Sequence, residues 1–178
     1  GIKKFSVLGH SMGGYVAMEM AHQSINSIER LILLNSTPFA DSDEKKMNRN
    51  RAIKAVQNTH ELFVRQFIPA LFSKENIGAC KNEITCLQDE ATKVSSEMMI
   101  KGLEAMRDRN EYLTDVTKKG MILNVILGFD DPVIDTSGLL ASLEGDNNIK
   151  VNVIIGSGHM SFYERPEICS ELIEGCLS

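Results

Sequence analysis

One heptapeptide constrains this chain more than the rest of it: Leu8-Gly9-His10-Ser11-Met12-Gly13-Gly14. The run before it, Ile2 to Leu8, is apolar-rich and partly alternating, which predicts a short strand. The stretch after it, Tyr15 to His22, carries apolar residues at helical spacing. A strand that enters Gly9-x-Ser11-x-Gly13 and leaves as a helix must turn so tightly that only small residues fit two positions either side of the serine. Ser11 is then held in a strained backbone conformation, its hydroxyl thrust out above the sheet. The helix start offers backbone N–H groups where negative charge would develop. The bland alternative is a glycine-rich strand–helix turn with an incidental serine, and the flanking strand and helix weigh against it.

A serine is a poor nucleophile without a base, and the base needs an orienting acid. The chain offers both, in the order Ser, Asp, His. Met121–Leu127 is a second apolar run, followed by Gly128-Phe129-Asp130-Asp131-Pro132. Val151–Ile155 is a third, followed by Gly156-Ser157-Gly158-His159. Each candidate partner therefore sits just past the C-terminal end of a strand, the edge at which sites assemble in open α/β sheets. Of the four histidines, only His159 has a strand behind it and a flexible Gly-Ser-Gly approach. His22 lies near the end of the first helix, where a cation favours the dipole, and His60 falls in a polar stretch and reads as a surface residue. On the acid, the adjacent Asp130 and Asp131 both remain candidates, with Asp135 behind them.

These three loops together resemble the α/β-hydrolase superfamily. Gly9–Gly14 is similar to its nucleophile elbow, Gly128–Pro132 to its acid loop, and Gly156–Glu167 to its histidine loop. The resemblance extends from Ile2 to about Leu177, with residues 40–118 matching loosely. It implies an α/β fold: a mostly parallel sheet flanked by helices, with an all-helical cap inserted between residues 39 and 119 and the core formed by 1–38 and 120–178. It makes Ser11 the nucleophile, His159 the general base and then acid, and Met12 the backbone N–H donor of an oxyanion hole. Asp131, three residues after Gly128 and just before Pro132, matches the family's usual acid better than Asp130.

The resemblance also implies a gap. A complete core of this kind has about four strands and two helices before the elbow strand, including the loop that donates the second oxyanion N–H. This chain opens with Gly1-Ile2-Lys3-Lys4 in the elbow strand itself. It is therefore expected to be the C-terminal two-thirds of an enzyme, with the activity belonging to the whole protein and this piece alone open to being inactive.

Between Phe39 and Lys119 the strand–helix alternation gives way to helical periodicity. Asp41–Val56 is strongly charged and opens with N-cap residue types, and its Asp43–Arg51 run reads as a solvated face. Glu61–Phe72 places Leu62, Phe63, Phe67, Leu71 and Phe72 on one stripe, with Pro69 as a kink. Ser96–Arg109 places Met99, Leu103 and Met106 on one face. By the resemblance, these helices close over Ser11, exclude water and shape an apolar pocket. Phe63, Phe67, Met99 and Met160 are the candidate substrate contacts. His10 joins them as a packing or hydrogen-bonding residue whose side chain points away from that of Ser11. Stripes of this kind also serve simply as core between helices.

Composition narrows the partners. With 19 Lys and Arg against 24 Asp and Glu the formal net charge is −5, and no basic stripe for nucleic acid is present. No run approaches the roughly 18 apolar residues of a membrane span. Four cysteines (Cys80, Cys86, Cys169 and Cys176) form no tight metal or redox pair, and a reduced, cytoplasmic chain is the simpler reading. No metal and no cofactor is required by serine chemistry. The expected partner is a small-molecule ester or lactone, with homo-oligomerisation left open. Serine rather than aspartate at position 11 favours acyl transfer through an acyl-enzyme. Carbon–carbon bond hydrolases, thioesterases and aminopeptidases share the same loops, as do non-catalytic ligand-binding proteins of the fold.

Overall fold

The computed structural model describes residues 1, 3–118 and 120–178, so Ile2 and Lys119, at the ends of the expected strand and helical insertion, lie outside it. Strand β1 (Phe5–His10) runs two residues further into the glycine motif than the apolar pattern suggests. Helix α1 (Met12–Ser24) starts at once after Ser11. Strand β2 (Ile28–Leu34) begins at Ile28, which pairs with Phe5 across an irregularity in the register. Strands β3 (Leu123–Gly128) and β4 (Ile149–Ile154) complete a sheet in the order β1-β2-β3-β4, every neighbouring pair parallel.

Parallel neighbours require crossover connections, and these place apolar cover on both faces of the sheet. The two-residue alternation of strand side chains sorts β2 cleanly. Leu31 and Leu33 face Ala17, Met18 and Ala21 of α1, Val116 of α5 (Leu113–Lys118) and Leu139 and Leu143 of α6 (Thr136–Leu143). Ile32 and Leu34 face the other way, against Ile126, Ile154 and the thiols of Cys169 and Cys176 on α8 (Pro166–Leu177). A four-residue helix, α7 (Ser161–Glu164), precedes α8. Each fully buried Leu or Ile contributes about 1.5–3 kcal/mol relative to exposure, so the β2–β3 pair anchors the fold.

Residues 43–118 hold no strand. Helix α2 (Asp43–Phe67) is capped by Ser42, whose side chain accepts from the Lys45 N–H, and it absorbs both helices expected for 41–72. The break between them survives as non-helical backbone at Thr59 (φ −149°, ψ 64°). Pro69 does not kink a helix but opens a single 3-10 turn, Pro69–Leu71. Helices α3 (Lys81–Ala91) and α4 (Ser96–Arg107) follow. Ile53 and Val56 of α2 bury against Leu103 of α4, with Phe63, Met99 and Met106 packed on that cluster. Among the described residues no helix is long and apolar enough to cross a membrane.

Candidate active site

The turn after β1 carries Ser11 at φ 51°, in the left-handed region that costs a serine of order 1–3 kcal/mol. Three hydrogen bonds hold it there. The Ser11 N–H donates to Leu34 O (3.0 Å), and the Ser11 carbonyl accepts from Gly14 N (2.9 Å) and from Ser36 Oγ (2.8 Å). At a net 0.5–1.5 kcal/mol each, these bonds are of the size needed to offset the strain. The glycine requirement falls partly where the sequence implies. A Cβ on Gly9 would sit on the Gly13 carbonyl and one on Gly14 would overlap Ser36, while one on Gly13 would meet nothing. Close packing thus selects Gly9 and Gly14, and Gly13 is not sterically forced.

His159 reaches the serine from the loop after β4. Its Nε2 lies 2.8 Å from Ser11 Oγ and its Nδ1 2.8 Å from Asp131 Oδ2. The tautomer follows from the acid's other bonds. Asp131 Oδ1 accepts from Val133 N (2.8 Å) and Ile134 N (3.0 Å), and Oδ2 accepts from Asn35 Nδ2 (3.2 Å). A carboxylate so supplied with donors is an acceptor toward His159, so Nδ1 carries the proton and Nε2 is left bare to accept the Ser11 hydroxyl. Both side chains are almost fully buried. Asp130 is exposed, and Asp135 caps α6 by accepting from Gly138 N (3.0 Å). Of the three aspartates, only Asp131 faces the histidine.

Asn35 is a member of this constellation that sequence reasoning did not single out. It follows β2 at φ 43°, fully buried, a conformation asparagine tolerates better than most side chains. Its Nδ2 donates to Asp131 Oδ2 and to Gly158 O (3.0 Å), bridging the acid loop to the histidine loop. Since both partners are acceptors, the amide nitrogen must face them, and Oδ1 is left without a partner. Glu164, also missed, ties the histidine loop from behind. Its buried carboxylate accepts from the N–H groups of Gly158 (3.0 Å), Met160 (3.1 Å) and Ser73 (2.9 Å), and from Asn76 Nδ2 (2.8 Å). The His159 N–H donates to Leu71 O (2.9 Å). The expected flexible approach to His159 is therefore the reverse: Ser157 is fully buried and Gly158 is held at both its N–H and its carbonyl.

Met12 opens α1, so its N–H is among the helix's first donors, which have no partner within the helix. Its side chain lines a cavity of about 640 Å³ bounded by α2, α4 and the Pro132–Ile134 segment. Phe63, Phe67 and Met99 line the same cavity, with the two phenyl rings stacked at 5.3 Å. Met160 and His10 do not line it. Met160 is buried among Leu71, Phe72, Cys80 and Ile84, because the α7 turn directs it inward. The His10 ring packs edge-on against Phe162 (4.9 Å), and its Nε2 bonds the His159 carbonyl (2.8 Å). Burial pushes the His10 pKa down. The Asp43–Arg51 run is not wholly a solvated face either, since Lys45, Asn48 and Arg49 reach the cavity wall. Among the described residues no group of three or more His, Cys, Asp or Glu is placed to hold a metal ion.

A parallel sheet with these loops at its carboxyl edge defines an α/β hydrolase, and the chain belongs to that family: the model of the alpha/beta hydrolase family matches residues 1–172. Solved structures share the fold. A thermophilic esterase from Thermogutta terrifontis superposes with a TM-score of 0.86 at 23% identity, over 98% of this chain and 65% of its own. An α/β hydrolase enzyme from a Medee basin deep-sea metagenome library gives 0.85 at 18% identity, over 99% and 66%. The enol-lactonase from Burkholderia xenovorans gives 0.83 at 19% identity, over 99% and 66%. The chain thus spans just under two thirds of the length of these structures. A comparison with curated protein sequences finds no match.

Proposed function

We propose that this chain carries the catalytic residues of a serine hydrolase that cleaves a carboxylic ester or lactone of a small, largely apolar substrate through an acyl-enzyme. The observation that carries the reading is the unbroken relay of 2.8 Å contacts from Asp131 through His159 to Ser11. In this reading His159 Nε2 takes the Ser11 proton as Oγ attacks the carbonyl carbon. Negative charge then develops on the carbonyl oxygen beside the Met12 N–H, at the positive end of α1. Asp131, held by Asn35 and by two backbone N–H groups, accepts from His159 Nδ1 and stabilises the imidazolium. Collapse of the tetrahedral intermediate breaks the bond to the leaving oxygen, which receives the proton from His159. Water, deprotonated by the same nitrogen, then frees Ser11. The helices between 39 and 119 act as a cap: the cavity beside Met12 falls within the 300–1,000 Å³ of small-molecule sites, and its wall is mainly apolar.

Labelling with a fluorophosphonate probe, read by intact mass, tests this directly. One adduct is expected on the parent chain and none on Ser11→Ala or His159→Ala. An adduct that persists in Ser11→Ala, or none on a parent chain that unfolds cooperatively, overturns the assignment.

A further inference from the structure

The cavity beside Met12 is not uniformly apolar. Its wall includes Lys45, Asn48 and Arg49, at i, i+3 and i+4 on α2 and therefore on one helical face, together with Tyr15. Among the described residues no carboxylate lines it. Resting on the serine-hydrolase reading, we propose that the substrate's acyl part carries a second, anionic group, a carboxylate, which Arg49 and Lys45 bind while the scissile carbonyl lies at Ser11.

The argument begins with charge. Asp41, with 1% of its side chain exposed, is shared by two guanidinium groups: Arg49 Nε at 3.1 Å and Arg109 Nη1 at 2.8 Å. One anion between two cations leaves a positive charge uncompensated in a largely buried setting, which is costly unless a further anion is present. The two arginines are not equivalent. Arg109 spends its remaining donors on the carbonyls of Phe39 (3.2 and 2.8 Å) and Met106 (2.6 Å), and it lies 3.8 Å over the Tyr15 ring. It is structurally satisfied and does not line the cavity.

Arg49 is different. It bonds Asp41 through Nε alone, and among the described residues its Nη1 and Nη2 groups donate to no protein carboxylate or carbonyl. Its guanidinium also hydrogen-bonds the Tyr15 hydroxyl, a neutral partner that leaves its charge unspent, and it reaches the cavity as a group able to grip a carboxylate through charge-assisted hydrogen bonds. Half-buried Lys45, one turn back on α2, has no carboxylate within 4 Å among the described residues, so both cations present unspent charge to the same space. Asp41 fixes the Arg49 stem through Nε.

Placement supplies the rest. Tyr15, at the cationic part of the wall, lies four residues after Ser11 on α1, about 6 Å along the helix axis. Met12 and Pro132–Ile134, neighbours of Ser11 and Asp131, line the same cavity. Phe63, Phe67, Met99 and Leu103 line the same cavity and suit a methylene chain. A half-ester or lactone of a dicarboxylic acid matches this combination of cationic and apolar surfaces, and its hydrolysis yields the dicarboxylate.

The test compares 4-nitrophenyl half-esters of four- to eight-carbon dicarboxylic acids with their methyl-capped, neutral counterparts. In parallel, adipate and hexanoate binding is titrated on Ser11→Ala protein, which needs no turnover. The expected result is at least a tenfold preference in kcat/KM for the anionic ester at its best length, falling as salt is added, and tighter binding of adipate than of hexanoate. Arg49→Gln should bring both ratios close to one and Arg49→Lys should retain part of them. Lys45→Gln, which leaves Asp41 untouched, should lower them several-fold even if Arg49→Gln fails to fold. Fluorophosphonate labelling and neutral-ester turnover without either preference overturn the anionic substrate and leave the hydrolase standing. A binding preference for adipate without labelling overturns the hydrolase and leaves the anion site.

Discussion

The carboxyl edge of the sheet and the helical stretch from Asp43 to Lys118 border one cavity, and they are built by different physics. At the sheet edge almost every polar atom is committed. Asp131 receives four donors, Glu164 ties together two loops, and Ser11 and Asn35 sit at positive φ because neighbouring bonds hold them there. Across the cavity, α2 and α4 meet through Ile53, Val56, Leu103 and half-buried phenylalanine and methionine side chains, with few buried hydrogen bonds between them. Hydrogen-bonded loops set atom positions to a fraction of an ångström, whereas methionine and phenylalanine packing tolerates changes of shape. One side is suited to chemistry and the other to selection. Substitutions should separate them, through kcat on the first and through KM on the second.

The largest effect tests whether the sheet edge deserves that description. Asp131→Asn removes the acceptor that fixes the His159 tautomer, and kcat for a simple ester should fall about 10⁴-fold with little change in KM. Asp130→Asn, one residue away and exposed, should stay within about threefold of the parent. Steady-state kinetics on the two variants decides between them. Equal losses would mean that the acid loop acts by folding rather than by facing His159.

The contrast also explains what was legible in the residues themselves. The nucleophile turn, the acid loop and the histidine loop each follow an apolar run within a few positions, so local pattern exposes them. The structure brings the side chains of Ser11, His159 and Asp131 from those three loops into hydrogen-bond contact. Asn35 shows no such signal. It looks like an ordinary turn residue after β2, and its partner Asp131 lies 96 positions along the chain. Glu164 sits inside the histidine-loop motif, but its link to Ser73 and Asn76 arises only when the helical stretch folds back. Periodicity found α2 and α4, yet it read Lys45 and Arg49 as solvent-facing, since a charged run has one appearance whether it meets water or a cavity. Met160 shows the converse: next to His159 in sequence, it is turned by α7 into the core among Leu71, Phe72, Cys80 and Ile84.

A smaller effect probes the helical side. Phe63 stacks on Phe67 and lines the cavity, so Phe63→Ala should raise KM for a medium-chain ester several-fold and leave kcat within about twofold. Initial-rate measurements over a chain-length series check this, with the penalty growing as the acyl chain lengthens. A tenfold loss of kcat at unchanged KM would place Phe63 with the sheet edge and erase the division of labour.

The smallest effect lies where the two regimes meet the rest of the core, at His10. Its Nε2 donates to the His159 carbonyl, and burial is the first cause of its lowered pKa, with that hydrogen bond opposing the shift. A neutral imidazole is thus preferred in the fold. As pH falls below the unfolded value of about 6.5, the unfolded chain takes up a proton on His10 before the folded chain does. The His10 contribution to stability is therefore complete above that pH and is lost as pH drops through the folded value. Its size is some fraction of the roughly 1.4 kcal/mol per pH unit that one proton supplies. Urea midpoints measured from pH 7.5 to 5 should fall less steeply in His10→Gln, whose amide can still donate to the same carbonyl. Superimposable slopes would mean that His10 does not carry the acid sensitivity, and that its bond holds the histidine loop without regard to pH.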